Sequence, residues 1–559
     1  MREKAVSTHR PLSHRILRAG MAVSIAHVLF KLAGLVQAKA MGHYLSPQEF
    51  DVLTFAFENC IFGVFLIGEE VIGPAAMPVF MRQLDLEGES SAWRFANTLL
   101  TFQVLVLVPV IALLLLFPEA LVQICTQWTP EKKPELVAMG SRYVRALAPA
   151  LAGLSIGSTT YVLLNGHKRF FLAAFGDAVW KFAAVGGLLA AVIFQGGGNV
   201  GRGLILGLLL GSVLKVATHL VGLRDKLHLF RPRFAFSDPA FQRMLWLALP
   251  LLAGILVAKA RDLFNNVYVP SGADSAGLIQ ALSMGKKLQG TVSFLVPYAF
   301  SIAVFPFFCE LVDRNDHARL GRVITRSGRM LLACFIPLVA VIAVLAQPLT
   351  ALLFAGGRFD ALAVERTSVA MACCTLVLPA TAIEMLAMQA FFAHRRMVAV
   401  TGVGIVFSLL SMAISWAGFR LCGSNSLLLL GVIAGGFSLS RVLKSLTLVK
   451  MLRASTPLAF PVRETLLFLL RVLACALLMA GAAWLMARGT SHLAAAAGLH
   501  LGGRLLDMAR LGGGSAAALV AGAAALWLLR IHEPREMVQW VLARAKGKLK
   551  RGDAKGPRL

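Results

Sequence analysis

The feature that most restricts this chain is a succession of apolar runs, each long enough to cross a lipid bilayer, continuing from near residue 18 to near residue 531. A hydrocarbon core of about 30 Å is spanned by roughly 20 apolar residues as α-helix. Measured with that ruler, the sequence holds fourteen segments, starting near residues 18, 51, 95, 137, 170, 200, 243, 274, 326, 363, 397, 425, 464 and 512. Composition agrees: 58% of the 559 residues are hydrophobic and 15% charged, with a mean hydropathy of +0.74. Soluble domains carry roughly 45–50% apolar and 25% charged residues. The expected class is an all-α polytopic membrane protein with fourteen transmembrane helices. Arg10, Arg15 and Arg18 precede the first run and Ala38-Lys39-Ala40 has the form of a cleavage site, but His27 and Lys31 interrupt the apolar stretch, which favours a retained first helix.

The net charge is +27, from 55 Lys and Arg against 28 Asp and Glu. Cytoplasmic loops of membrane proteins are loaded with Lys and Arg. With a cytoplasmic N-terminus the basic residues alternate correctly. Arg82 and Arg94, Lys168 and Arg169, Arg224 through Arg233, Arg314 through Arg326, Arg395 and Arg396, and Lys450 and Arg453 fall on inner loops. Both termini are therefore expected in the cytoplasm of a multi-pass inner-membrane protein, the basic tail lying against anionic headgroups. Nucleic acid is excluded as a partner, because the aromatics are mostly Phe inside apolar runs and no basic patch interleaves with them. The eight Cys form no C-x-x-C pair, and neither a Walker A loop nor H-E-x-x-H occurs, so no enzyme, metal site or cofactor is expected.

An offset of 228 residues separates Pro78 from Pro306, Arg94 from Arg322 and Lys31 from Lys259. It spans six helices, and a repeat of even parity gives parallel copies related by an axis along the membrane normal. The expected organisation is an N-terminal cytoplasmic tail over 1–17, a six-helix N-lobe over 18–223, a cytoplasmic linker over 224–242 and a six-helix C-lobe over 243–453. A C-terminal helix pair over 454–531 and a basic cytoplasmic tail over 532–559 complete it. Transporters of this layout place the substrate between their lobes.

Most runs read as clean, and the exceptions mark candidate function. The first helix carries Lys31; the second Asp51, Glu58, Glu69 and Glu70; the seventh Lys259, Arg261 and Asp262, then Asn265 and Asn266; the eighth Lys286 and Lys287; the tenth Glu384. A charge at mid-bilayer costs roughly 2.5–3.5 kcal/mol on insertion scales, so such residues face a bundle interior or an aqueous cavity. Lys31 lies roughly 20 Å beyond Arg18 at about 1.5 Å per residue, too deep for easy snorkelling. Two readings follow. Either the charges pair with one another, as Lys31 with Glu69 and Lys286 with Asp262, or Lys31, Asp51, Glu69, Lys259, Arg261, Lys286 and Lys287 line a cationic site for an anionic headgroup. Asp262, Asn265 and Glu384 are candidate ligands for a coupling cation, Na+ or H+; membrane potential is the other candidate drive.

Several stretches, in order, resemble the MurJ/MviN lipid II flippases of the MOP exporter superfamily. Phe30 through Gln37 resembles the family's S-R-V-L-G-x-x-R. Asp51 with Phe55-Ala56-Phe57 resembles D-A-F-F-V-A-F, and Glu69 through Pro78 resembles A-E-G…F-V-P. Gly285-Lys286-Lys287-Leu288 resembles A-D-R-L, and Leu353 through Asp360 resembles L-F-x-x-G-x-F-D. The resemblance implies a MATE-like fold and alternating access. It also implies a cationic site for a diphosphate-linked glycan, with Lys31 and Lys287 at arginine positions, and a groove for the polyprenyl tail beside the last two helices. The partners it implies are a lipid-linked anionic glycan, most simply the peptidoglycan precursor lipid II, membrane lipids and cell-wall synthesis enzymes. The family's second first-helix arginine aligns with Gln37 and its helix 2 arginines with Val64 and Phe65, a loss for which Lys259 and Arg261 are the candidate replacements. Alternatives left open are an O-antigen or capsule oligosaccharide flippase, a cation-coupled drug exporter of the same superfamily, and a non-transporting scaffold for glycan assembly.

Overall fold

In hydrocarbon every backbone N–H and C=O must find its partner inside the protein, which leaves helices as the simplest spanning element. The structure, a computed structural model, describes residues 32–196, 199–293, 299–394, 396–422, 425–456, 458–496 and 503–532. Among these the chain is all-helical, relieved only by one bridge between Gly356 and Phe359.

Each expected run is helical where described. The first is α1 (32–44). Then come α2 (Pro47–Leu86), α3 (Glu89–Leu116), and α4, a pair Pro134–Leu147 and Ala150–Gly166 bent by 43°. They are followed by α5 (Phe170–Gln195), α6 (Val200–Gly222), α7 (Pro239–Ser271) and α8 (Leu278–Ser293 and Ala299–Asp313). The rest are α9 (His317–Val344), α10 (Ala361–Ala393), α11 (Met397–Leu421), α12 (Ser426–Ser455), α13 (Val462–Ala496) and α14 (Gly503–Leu528). Eleven of these are long and apolar enough to cross a membrane, or twelve counting α4 as one span. The expected fourteen is thus met only to that extent, because α1 is described from residue 32 onward and α8 is described only on either side of 294–298.

Two helices depart from regular α geometry. Phe55–Ile61 in α2 and Phe264–Tyr268 in α7 are π-helical. A π turn is costly and recurs at functional sites. In α7 it carries Asn265 and Asn266, next to the charges Arg261 and Asp262.

The chain forms two compact units, Met1–Lys259 and Ala260–Leu559. In the first, α5 and α6 pack most closely, and glycine is the reason. A Cβ on Gly207 would stand 3.0 Å from Ala184 Cα, and one on Gly211 would stand 2.6 Å from the Trp180 carbonyl oxygen. Without a hydrophobic drive between helices in lipid, such close backbone approach supplies the packing energy. At one end of this unit the segment Arg224–Leu229 forms a 3-10 turn. Arg169 grips Asp225 with Nη1–Oδ1 2.6 Å and Nη2–Oδ2 2.7 Å, and Lys226 meets Glu89 at 2.5 Å. The Arg169 fork holds the Asp225 carboxyl down to about 2, so this latch stays charged as pH falls through the ordinary carboxylate range and is lost only near pH 2.

In the second unit α13 and α14 pack on each other and α13 also packs on α9. The stretch Leu353 through Asp360 closes as a tight turn. Gly356 and Gly357 take φ of +127° and +61°, Gly356 and Phe359 exchange backbone hydrogen bonds of 3.3 and 3.2 Å, and Asp360 caps α10 by accepting from Ala363 N at 2.8 Å. A side chain at either glycine would be forced into the left-handed region that L-residues avoid.

Gly207→Leu should therefore drive α5 and α6 apart and lower the melting temperature in detergent sharply, an overpacking loss of about 1–3 kcal/mol or more. Gly186, one position before the contact glycine Gly187, has nothing within 4 Å of an added Cβ, so Gly186→Ala should melt like the parent protein. Equal effects of the two substitutions would refute the packing account.

Candidate functional site

In the first unit the charges gather where α2, α5, α6 and the end of α7 meet. Lys215 on α6 is fully buried. Its ammonium lies 2.7 Å from Asp177 Oδ1 on α5, skewed from a linear hydrogen bond, and 4.9 Å above the Phe65 ring. The stem has room because Gly157 faces it; a Cβ there would stand 2.6 Å from Lys215 Cε. One turn on, the buried His219 pairs through Nδ1 with Thr160 Oγ1 at 2.8 Å and through Nε2 with the Ala173 carbonyl at 3.2 Å. Glu69 is within electrostatic reach of Lys215, Asp177, Glu70 and Lys259. Lys259 Nζ bonds Glu70 Oε1 at 2.7 Å. A third lysine, the buried Lys181, donates to Gln37 Oε1 at 3.2 Å and lies 4.6 Å over the Trp180 ring.

A second group occupies the other unit. Arg261 on α7 donates to Asp262 Oδ1 at 2.7 Å and to Ser408 Oγ on α11 at 3.2 Å. Asn265 reaches Ser411 at 2.9 Å, and Lys286 on α8 donates to Asn266 Oδ1. On α12, Arg441 Nη1 donates to both oxygens of Glu384 at 2.8 Å and Lys444 donates to Oε1 at 2.5 Å. The Phe437 ring draws three of these cations together, at 5.3 Å from Arg261 Cζ, 5.1 Å from Lys286 Nζ and 5.4 Å from Arg441 Cζ. A ring face attracts cations through its quadrupole, so Phe437 helps hold like charges side by side. Helix α8 can bring Lys286 this close because Gly285 presses on α10, a Cβ there standing 2.8 Å from Met371 N.

The structure thus brings Glu69 and Lys259 into one neighbourhood and Arg261, Asp262, Lys286 and Glu384 into another, with Asn265 beside them. Asp51 is buried near the start of α2, about 27 Å along the helix from Glu69 at roughly 1.5 Å per residue, and joins neither. Lys287 follows Lys286 on α8 and is half-buried. Lys31 lies outside the described residues. The anticipated partner of Lys286 was Asp262; the carboxylate is engaged by Arg261 instead, and Lys286 takes an amide.

Lys181, Asp177, Lys215, Arg441 and Lys444 sit inside runs read as clean. A single charge scarcely lowers the mean of a 25-residue apolar window. The usable signal was the spacing: Asp177 and Lys181, Lys215 and His219, and Arg441 and Lys444 stand three or four apart, on one helix face. Of the three positions where the resemblance calls for arginine, Gln37 is met by Lys181 and Phe65 by Lys215, lysines of α5 and α6.

A protein-family model described as Lipid II flippase MurJ matches residues 38–499. Among curated relatives, a probable lipid II flippase MurJ of Borreliella burgdorferi is 20% identical over 413 residues, 73% of this chain and 78% of the relative. The protein of the same description from Rhizobium meliloti is 23% identical over 359 residues, 63% of this chain and 64% of that one. Among solved structures, a lipid II flippase MurJ in an inward closed conformation superposes with a TM-score of 0.69 at 16% identity, covering 91% of this chain and 99% of that one. An inward-facing multidrug resistance MATE family transporter of the MOP superfamily superposes with a TM-score of 0.66 at 13% identity, covering 78% and 98%.

Asp177→Asn should strand the buried Lys215 charge and cost about 3–5 kcal/mol, the usual loss when one partner of a buried pair is removed. The double substitution Asp177→Leu with Lys215→Met should recover most of it. Melting of the purified variants in detergent decides: a double variant no more stable than Asp177→Asn would show that the pair is not what the loss reflects.

Proposed function

Because the chain belongs to the lipid II flippase MurJ family, we propose that it carries lipid II across the bacterial cytoplasmic membrane for peptidoglycan synthesis, and that its intramembrane cations receive the diphosphate. The activity is transport rather than catalysis. The observation that carries the reading is the group around Phe437, where Arg261, Lys286, Arg441 and Lys444 outnumber the carboxylates Asp262 and Glu384. Such an excess suits an anionic headgroup. A site for organic cations wants the opposite balance, and a scaffold has no use for paired charges at this depth, where each costs roughly 2.5–3.5 kcal/mol unpaired.

Transport runs by alternating access, the six-helix lobes at 18–223 and 243–453 being the rocking bodies. Lys31, Lys259, Lys286 and Lys287 contribute point charges to the headgroup's path, and Asp51 and Glu69 supply the counter-charge that keeps the empty state from excess repulsion. The drive is the membrane potential or a coupling cation, Na+ or H+. Asp262 and Asn265 suit a cation best. The Asp262 side chain is 40% exposed, and the buried Asn265 Oδ1 has no hydrogen-bond partner among the described residues. Both termini are cytoplasmic in this scheme, and cell-wall synthesis enzymes are the natural protein partners.

Depleting the protein in its host and identifying the polyprenyl-linked glycan left on the cytoplasmic leaflet tests the assignment. Lipid II should accumulate; another lipid-linked sugar would make the protein an O-antigen or capsule flippase, and no accumulation would leave only the scaffold. Lys286→Met should slow lipid II transport roughly 10- to 100-fold, the worth of one charge-assisted phosphate contact, with the protein still inserted.

A further inference from the structure

We propose that Arg441 and Lys444 on α12 are the diphosphate-binding pair of the second unit, and that Glu384 on α10 is a built-in stand-in for the substrate, holding the two cations in the empty protein and giving them up as phosphate arrives. The inference rests on the reading of the protein as a carrier of a diphosphate-linked lipid, and adds to it the residues and the exchange.

Three observations carry it. The first is the unfinished geometry of the pair. Arg441 spends one nitrogen, Nη1, on both oxygens of Glu384, while its buried Nε has no hydrogen-bond partner among the described residues. A guanidinium engages a carboxylate best as a two-pronged fork, and this one is only half used. A diphosphate diester offers four non-bridging oxygens, enough to take both prongs of Arg441 and the Lys444 ammonium together.

The second is exposure. Glu384 is the most enclosed member, its side chain 6% exposed against 12% for Lys444 and 25% for Arg441. The cations are the more accessible members of the group, so an incoming anion reaches them more readily than it reaches the carboxylate.

The third is charge. Arg261, Lys286, Arg441 and Lys444 form one electrostatically connected group with Asp262 and Glu384. Four cations against two carboxylates leave an excess of two positive charges, and a diphosphate diester carries two negative ones. The match is to the diphosphate; a monophosphate diester would leave one charge over. Glu384 keeps Arg441 and Lys444 from repelling each other while the site is empty. Its competition with phosphate also sets the affinity low enough for release, which a carrier needs as much as capture.

The test uses the full-length protein in nanodiscs, with an undecaprenyl-diphosphate-linked sugar (a diphosphate diester), an undecaprenyl-monophosphate-linked sugar (a monophosphate diester) and lipid II as probes. Glu384→Gln keeps the shape and removes the competing charge. It should bind the diphosphate-linked sugar about tenfold more tightly than the parent, roughly the worth of one charge-assisted bond, gain less for the monophosphate-linked sugar, and transport lipid II more slowly because release is impaired. Lys444→Gln leaves the Arg441–Glu384 pair in place and should bind the diphosphate about tenfold more weakly, whereas Lys444→Arg should retain binding. This second substitution keeps the test open should Glu384→Gln not fold. Unchanged or weaker diphosphate binding in a folded Glu384→Gln, or unchanged binding in Lys444→Gln, overturns the exchange even where lipid II is transported. Tightening in Glu384→Gln without any lipid II transport by the parent would instead uphold the site and refute the choice of lipid II.

Discussion

A charge inside hydrocarbon must be paired, and the pair must be given room. That requirement organises both units. In the first, Lys215 can be fully buried only because Asp177 comes to 2.7 Å and because Gly157 gives up its side-chain volume to the lysine stem. Asp177 can be there only because α5 lies against α6 along glycines that let the two backbones touch. The same helix contact places Gly176 opposite His219. Helix packing and charge placement are therefore one design: the small residues that replace the missing hydrophobic drive between helices also make the spaces in which polar side chains are stored.

The second unit treats the same requirement differently. Its cations are gathered around one aromatic ring, and its carboxylates are fewer than its cations. The first unit, among the described residues, balances Lys215 with Asp177 and Lys259 with Glu70. A balanced group stabilises a bundle; an unbalanced one is a demand for an anion from outside. The difference in stoichiometry separates a resting place for an anion from the rest of its path better than the presence of charge does, since both units have charge at depth.

Much of the fold was legible in the sequence because hydropathy over 25 residues is a strong signal and the loop from Leu353 to Asp360 carries its own turn chemistry, glycines at positive φ followed by a capping aspartate. The site was legible only in part. Clusters of adjacent charges, such as Arg261 with Asp262 or Lys286 with Lys287, break an apolar run visibly. Lone charges spaced at helical intervals do not, so Asp177, Lys181, Lys215, Arg441 and Lys444 stay hidden in the hydropathy, although Asp177 pairs with Lys215, and Arg441 and Lys444 with Glu384, inside the bundle. Partners were less legible still. Lys286 and Asp262 are opposite in sign and close in the chain, yet the wide π turn of α7 presents Asn266 to the lysine and leaves Asp262 to its own neighbour Arg261.

This bears on what substitution does in such a protein. Where the resemblance calls for arginine, Gln37 and Phe65 stand instead, and each is met by a lysine from another helix, Lys181 at 3.2 Å and Lys215 at 4.9 Å. At these two positions positive charge is supplied from another helix of the bundle. An interior of this kind constrains the field at a place more tightly than the residue at a position, because the energy of a buried charge depends on its surroundings and not on the helix that carries it. Lysine carries a compact point charge on a flexible stem and asks less of its partner's geometry than arginine, so it is suited to projecting charge from a neighbouring helix. Arginine remains at Arg261 and Arg441, whose guanidinium carbons lie 5.3 and 5.4 Å from the Phe437 ring centre while their nitrogens bond the carboxylates Asp262 and Glu384.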